Sequence, residues 1–221
     1  MVVAVLAAWL AVASHAQQKP VRRADEDVKS PELREKPGLS PNENMLFNGW
    51  GVTPAGEHVP ISDMALKLAV SPDKKMLLAA CGGFSNTGLI LLDMAGKRVT
   101  QFLPLAEAWN GLAFSRDGSR IFVSGGDSGH IYVFNYADCK VTGTNAVQPA
   151  AEATGVFLAG IAVHPTTGKV YVCNEGNHEV WVLHPDTLAL ETTIQVGLHP
   201  HSCIVGADQR HLYVSNWGSR T

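Results

Sequence analysis

The chain has 221 residues, of which 46% are hydrophobic and 17% charged, with a formal net charge of −3. This composition is too apolar for a wholly disordered chain, and the length is sufficient to bury a sizeable core. The near-neutral charge balance excludes a dominant basic surface, so we expect no nucleic-acid binding.

The first segment has the features of an export signal. Residues 2–13 form an unbroken apolar run, which Ser14, His15 and Ala16 follow. The run is shorter than the roughly 20 residues that span a bilayer, and small residues at its end suit a signal-peptide cleavage site. We predict a signal peptide at residues 1–16, export to the periplasm or the medium, and no membrane span. Because no Lys or Arg precedes the run, a buried N-terminal strand is the alternative.

Residues 17–44 differ sharply from this apolar run. They mix basic and acidic side chains and contain prolines at positions 20, 31, 37 and 41. Mixed charge with frequent proline and few large apolar side chains is typical of a solvated linker. We therefore expect a disordered linker over residues 17–44 and a folded domain over residues 45–221.

From Leu66 onward the sequence repeats itself. Ser71, Ser115, His164 and Gly206 occupy equivalent positions at spacings of 44, 49 and 42 residues, and an apolar run precedes each of them. The same offsets align a second apolar run in all four copies without a gap, at residues 77–80, 121–124, 170–173 and 212–215. Copies that keep one register through two strands indicate a repeat protein.

Each copy predicts short antiparallel strands. The first three strands are nearly continuous apolar runs, as expected when both faces are covered, and the fourth is more mixed, as in residues 191–196. Four strands in roughly 40–45 residues are typical of a β-propeller blade. We predict an all-β fold that contains a partial β-propeller, with three full blades and half of a fourth.

Several motifs resemble one family of propellers. Val170–Asn174 and Leu212–Asn216 are similar to the YVTN signature of YncE-like repeats. Residues 48–56, which begin Asn-Gly-Trp, and residues 214–218, which contain Asn-Trp-Gly, are more specific. They resemble the propeller half of exported bacterial proteins in which a YncE-like propeller precedes an alkaline-phosphatase-superfamily domain.

The resemblance covers roughly residues 37–221. It implies a propeller of about seven blades, of which this chain is a fragment, and a phosphoesterase domain beyond it. The alternative is a four-bladed closure in which residues 52–61 complete the last blade.

The blade topology divides the loops between two faces. We define the top face by the loops from second to third strand and from fourth strand to the next blade, and the bottom face by the remaining loops. His164 and His184 belong to the bottom face. The candidate ligand-binding residues on the top face are Glu175, His178, His199, His201, Trp109, Asn110, Asp127, Asn216 and Trp217.

We expect the glutamate and the three histidines of this set to form one local group. They are either hydrogen-bonding loop residues or part of a ligand or metal site. The asparagines and tryptophans suit ligand or peptide binding and equally suit loop stabilisation. His164 and His184 on the bottom face cannot share one zinc site with His199 and His201 on the top face. We predict no metal and no cofactor.

The four cysteines do not define their pairing. Cys173 aligns with small residues of the other copies, which favours a packing role. In an exported chain, Cys173 pairs with Cys203, or Cys81 pairs with either of them, and Cys139 lies on the bottom face. No Cys-x-x-Cys pair is present, so we expect no structural zinc and no thiol catalysis.

No hydrolase signature is present in the sequence. It contains neither a Gly-x-Ser-x-Gly elbow nor a phosphate-binding loop, and Asp73, Asp117 and Asp208 occupy hairpin positions where they cap turns. We predict an exported, non-catalytic propeller that binds an unidentified protein or small molecule at its top face, with edge-to-edge self-association through unpaired strands.

The alternative function is the propeller part of a hydrolase. That hydrolase is either a lactonase-like propeller, in which axial carboxylates, His and Asn hold a metal, or a phosphoesterase whose catalytic domain lies outside this chain. A redox propeller is a weaker alternative, because the Cys-x-x-Cys-His motif of covalent haem is missing.

Overall fold

The computed structural model describes residues 59, 61, 64–83 and 86–218. They belong to a compact unit, Val59–Thr221, and a second unit, Met1–His58, lies outside the described residues. The predicted signal peptide, the linker and the motif at residues 48–56 therefore stay predictions, as does the closure through residues 52–61. Within the described ranges, no helix is both long and apolar enough to cross a bilayer.

The described residues form three four-stranded antiparallel sheets and one two-stranded sheet. The first sheet contains β1 (Ala65–Val70), β2 (Met76–Cys81), β3 (Gly88–Asp93) and β4 (Arg98–Pro104). The second contains β5 (Leu112–Phe114), β6 (Arg120–Ser124), β7 (Ile131–Ala137) and β8 (Lys140–Val147). The third contains β9 (Leu158–Val163), β10 (Val170–Asn174), β11 (Glu179–Leu183) and β12 (Leu190–Gln195), and the last contains β13 (Pro200–Val205) and β14 (Leu212–Asn216). This arrangement confirms the predicted partial propeller.

Within each sheet the strands pair in chain order, and the first strands of successive sheets contact one another. The sheets are therefore blades that stack side by side around β1, β5, β9 and β13. The loops after the second and fourth strands share one edge of the blades, which is the top face defined above.

Packing between blades explains why the strands are apolar on both sides. Successive side chains of a strand point to opposite faces. In β6, Ile121 and Val123 join the core cluster of the first blade, whereas Phe122 joins the cluster of the third blade with Trp181 and Leu183. All of these side chains are buried, so each middle blade presents a core to both neighbours.

The outermost described faces remain apolar and uncovered. Leu68 on β1 is 54% exposed, whereas its repeat equivalents Leu112 and Ile161 are buried. On the two-stranded sheet, Ile204 is 65% exposed and Tyr213 61% exposed. The β1 face and the β13–β14 face therefore carry blade-packing side chains that no described residue covers.

The bottom-face turns satisfy their own polar groups. Ser115 Oγ donates to Asp117 Oδ1 at 2.6 Å and accepts from the Arg120 amide at 2.9 Å. The hydroxyl of Ser115, followed by the hydroxyl and the amide of Ser119, which also donate to the carboxylate, lowers the pKa of Asp117 to about 2. The turn position after Asp117 is Gly118, whose φ of +75° is a conformation that glycine adopts without strain.

The equivalent turns of the other blades are also capped by side-chain hydrogen bonds. Ser71 and Asp73 repeat the serine–aspartate contact at 2.5 Å. His164 Nδ1 instead accepts from the amides of Thr166 and Thr167, and His184 Nδ1 accepts in the same way from Asp186 and Thr187. These contacts place both histidines in bottom-face turns, where they act as caps.

Candidate functional site on the top face

The candidate site on the top face surrounds the side chain of His201. The strand that carries His201 passes close to Gly160 on β9, where a Cβ atom would lie only 2.8 Å from the backbone oxygen of His201. The absence of a side chain lets β13 approach the third blade closely, which carries His201 towards Glu175 at the end of β10. We call Asn110, Glu175, His201 and Trp217 the His201 cluster.

His201 is held from two directions. The NH₂ group of Asn110, which is 6% exposed, donates to the backbone oxygen of His201 at 3.1 Å and lies 2.7 Å from its Nε2 atom. On another side the ring of Trp217 stacks on the imidazole at a centroid distance of 3.8 Å and an angle of 22°. Trp217 itself is 67% exposed, so an aromatic surface adjoins the cluster.

These contacts fix the protonation state of His201. A backbone oxygen only accepts, so the NH₂ group of Asn110 must face it, and the same group then donates to Nε2. The neutral ring therefore carries its proton on Nδ1. Burial lowers the pKa of His201, the neighbouring Glu175 carboxylate opposes that effect, and the positive charge of Lys67 reinforces it.

The proton on Nδ1 faces Glu175. The distance between His201 Nδ1 and Glu175 Oε2 is 3.9 Å, and the two side chains are 19% and 17% exposed. This separation exceeds a direct hydrogen bond. Both atoms are therefore buried without a direct hydrogen-bond partner.

Unpaired polar atoms are concentrated in this region. Among the described residues, the buried side-chain nitrogen and oxygen atoms without a hydrogen-bond partner are Trp109 Nε1, Asn110 Oδ1, Glu175 Oε2, His201 Nδ1 and Asn216 Oδ1. Every one of them belongs to a residue that the sequence predicted as a top-face candidate. Asn216 is the β14 partner of Pro200, the neighbour of His201, so its orphan oxygen lies on the strand beside the cluster.

The remaining candidates form separate contacts. His178 and His199 pair with each other: the His199 amide donates to His178 Nδ1 at 3.2 Å, and their rings meet edge to face at 4.8 Å. The structure therefore divides the predicted group of four, since Glu175 lies beside His201 while the other two histidines contact each other.

Trp109 and Asp127 share a different cavity of about 440 Å³. The ring of Trp109 packs edge to face on Phe157 at 5.3 Å, and Asp127 is exposed at the rim. Phe157 and Lys67 are the residues that sequence reasoning missed. A signal for Lys67 existed, because its repeat equivalents are Gly111, Gly160 and Ser202, and a lysine among such small residues is unusual.

The donor set does not fit a resident metal. Among the described residues, no group of three or more His, Cys, Asp or Glu side chains is arranged to hold a metal ion. His201 and Glu175 supply only two such side chains, fewer than the three protein ligands of a typical catalytic zinc site. We therefore derive no step through a metal.

The sequence as a whole matches one known family. The profile described as the SMP-30/gluconolactonase/LRE-like region matches residues 12–217, which is most of the chain. The chain belongs to this family. No curated protein matches it significantly.

Solved structures related to the SMP-30/gluconolactonase/LRE-like chain are propellers. Hydrazine synthase of Kuenenia stuttgartiensis is 18% identical with a TM-score of 0.61, over 72% of this chain and 58% of that one. A gluconolactonase of Xanthomonas campestris is 17% identical with a TM-score of 0.54, over 67% and 52%. A luciferin-regenerating enzyme is 16% identical with a TM-score of 0.57, over 67% and 52%.

These similarities support the propeller fold of this chain. Because the sequence identities are below 20%, they do not show its function. The chain spans between half and three fifths of the length of each of these structures.

Proposed function

We propose that this chain is a ligand-binding propeller module whose top face binds a small polyhydroxylated molecule at the His201 cluster. The observation that carries the proposal is the set of five buried, unpaired polar atoms at this face. Buried polar groups in native proteins are nearly always hydrogen-bonded, and each unpaired one costs about 1–3 kcal/mol. A site that retains several of them is suited to a ligand that pairs with them.

The chemistry of these atoms specifies the kind of ligand. At and beside the His201 cluster, three of them accept hydrogen bonds, on Asn110, Glu175 and Asn216, and His201 donates one. A hydroxyl group does both, so a molecule with several hydroxyls matches the mixture. The exposed ring of Trp217 adds an apolar surface for the C–H face of a sugar-like molecule.

The second candidate is hydrolysis of a lactone at the same site. Membership of a family that is named after gluconolactonase favours it. In that reaction the Glu175 carboxylate would take a proton from water as the water oxygen bonds to the carbonyl carbon. The bond from that carbon to the ring oxygen would then break, and the ring oxygen would take the proton from Glu175 to give the hydroxy acid. The Nδ1–H group of His201 would donate to the carbonyl oxygen.

One experiment separates the two candidates. Purified chain is titrated with gluconate and with gluconolactone while tryptophan fluorescence reports binding and acid release reports hydrolysis. We expect saturable binding of both probes, and a Glu175→Met variant that binds at least about tenfold more weakly because a bond to a charged acceptor is lost.

The matched control is Glu152→Met, which replaces an exposed glutamate of another loop and should bind like the parent chain. Turnover that Glu175→Met abolishes would make the hydrolase the correct function. Absence of binding by both probes, or equal affinity in both variants, would overturn the proposal.

Two further features belong to this proposal. The apolar run at residues 2–13 supports export, and Val170–Asn174 and Leu212–Asn216 support a YncE-like relationship within the family. Detection of cleavage after Ala16 in the secreted protein would test the first of these.

A further inference from the structure

Two cysteine thiols from neighbouring blades lie against each other beneath the top face. Cys173 on β10 is fully buried, and Cys203 on β13 packs against the cluster that Cys173 forms with Ala159 and Val180. The Cys203 thiol is directed at the third blade, where it donates to the backbone oxygens of Gly160 on β9 and Tyr171 on β10, both at 3.8 Å. Both are free in the structure, and Cys203 is partly accessible to solvent.

The other two cysteines are elsewhere. Cys81 is buried in the first blade with Ala79 and Ile90. Cys139 lies on the bottom face, where its thiol donates to Asp73 at 3.5 Å. Of the alternatives that the sequence left open, the structure therefore selects the pair Cys173 and Cys203.

We propose that Cys173 and Cys203 form a reversible disulfide that joins the third blade to the β13–β14 sheet. The oxidant is a small-molecule disulfide such as oxidised glutathione. The Cys203 thiolate attacks one of its sulfurs, which forms a mixed disulfide and releases one glutathione. The Cys173 thiolate then attacks the Cys203 sulfur and releases the second glutathione, so two protein thiols are oxidised and one external disulfide is reduced.

The difference in burial between the two thiols determines which of them reacts first. Cys203 reacts first, because it alone reaches solvent. The contact with Cys203 and burial both raise the pKa of Cys173, so few molecules carry its thiolate at neutral pH. Closure is therefore the slow step, and its rate rises with pH.

The positions of the thiols connect this bond to the site above it. Cys173 lies near the end of β10, and Glu175 lies in the turn that directly follows this strand. Cys203 and His201 both lie on β13. The disulfide would therefore fix the spacing of β10 and β13 close to Glu175 and His201, and any effect on ligand affinity rests on the function proposed above.

Peptide mapping tests the bond directly. The chain is incubated with oxidised glutathione at about pH 8, its remaining thiols are alkylated, and trypsin is added. No Lys or Arg lies between Lys169 and Arg210, so both cysteines fall in one peptide, residues 170–210. We expect this peptide unalkylated and lighter by two hydrogen atoms, and cleavage after Glu175 and Glu191 should leave two pieces joined until a reductant is added.

Two variants serve as controls. Cys139→Ser should give the same linked peptide, whereas Cys203→Ser should give none. The oxidised parent chain should also melt about 5 °C higher than the reduced chain. A stable glutathione adduct at Cys203 without closure, or a bond that involves Cys81, would overturn the proposal. The mapping uses the parent chain without a sugar probe. Its result on the disulfide is therefore independent of whether the chain binds a ligand.

Discussion

The two faces of these blades treat the same kinds of side chain in opposite ways. On the bottom face, serine, aspartate and histidine satisfy the turns that contain them, as Ser115 does with Asp117 and the Arg120 amide. On the top face, by contrast, buried side-chain atoms of Asn110, Glu175 and His201 lack hydrogen-bond partners. The turn residues of the bottom face therefore pair with one another, whereas the top face retains buried polar atoms without partners among the described residues.

The largest expected effect is on the bottom face. Ser115→Ala removes the hydroxyl that accepts from the Arg120 amide and donates to Asp117. Because the amide is then left without its side-chain acceptor, we expect the free energy of unfolding to fall by about 1–3 kcal/mol. Urea denaturation measures this, with Thr192→Ala on the exposed surface of β12 as the control. If Ser115→Ala and Thr192→Ala have equal free energies of unfolding, the hydrogen bonds of the bottom-face turn do not stabilise the fold as we expect.

The second prediction has the opposite sign and concerns two glutamates of one blade. Glu175→Met removes an unpaired buried acceptor, so we expect the free energy of unfolding to rise by about 1 kcal/mol. Glu179→Met should lower it by a similar amount, since Glu179 accepts from Asn174, Trp181 and Gln195. The same denaturation assay applies. If both variants are destabilised, the top-face carboxylate has a structural role after all.

The smallest effect is a change in the titration of one histidine. Burial lowers the pKa of His201 below its ordinary value of 6.5, and Glu175 opposes this. The NMR signals of His201 should therefore titrate below that value, and lower still in Glu175→Gln, while Lys67→Met should move the pKa upwards.

The sign for stability follows from the lowered pKa. The contribution of neutral His201 is complete above the unfolded pKa of about 6.5 and is lost as the pH falls below it. Assignment of the signals uses His201→Asn. A pKa above the ordinary value in the parent chain would contradict the neutral Nδ1–H form that the contacts with Asn110 indicate.

The fold was predictable because the repeat sets the register. The aligned runs at residues 77–80 and 212–215 lie within β2 and β14, and the hairpin aspartates cap the turns as expected. Blade packing alternates along each strand, so an apolar run without polar interruptions already indicated two covered faces.

The site was predictable in position but not in its contacts. Chain order assigned Glu175, His178, His199 and His201 to the top face, but their pairing depends on local backbone geometry. His178 and His199 both adopt left-handed conformations, with φ of 59° and 54°, which turn them towards each other. The approach of His201 to Glu175 depends on Gly160, and the sequence alone does not give the distance between neighbouring blades.

The β13–β14 sheet has a consequence for how the site behaves in time. Blades in a stacked array contact only their neighbours, so each unit has its own opening equilibrium. This sheet has two strands and an uncovered face at Ile204 and Tyr213, and it carries His201, Asn216 and Trp217. We expect its amides to exchange with deuterium sooner than those of the middle blades. A molecule that bridges Glu175 and His201 would slow that exchange and hold the outermost described unit closed.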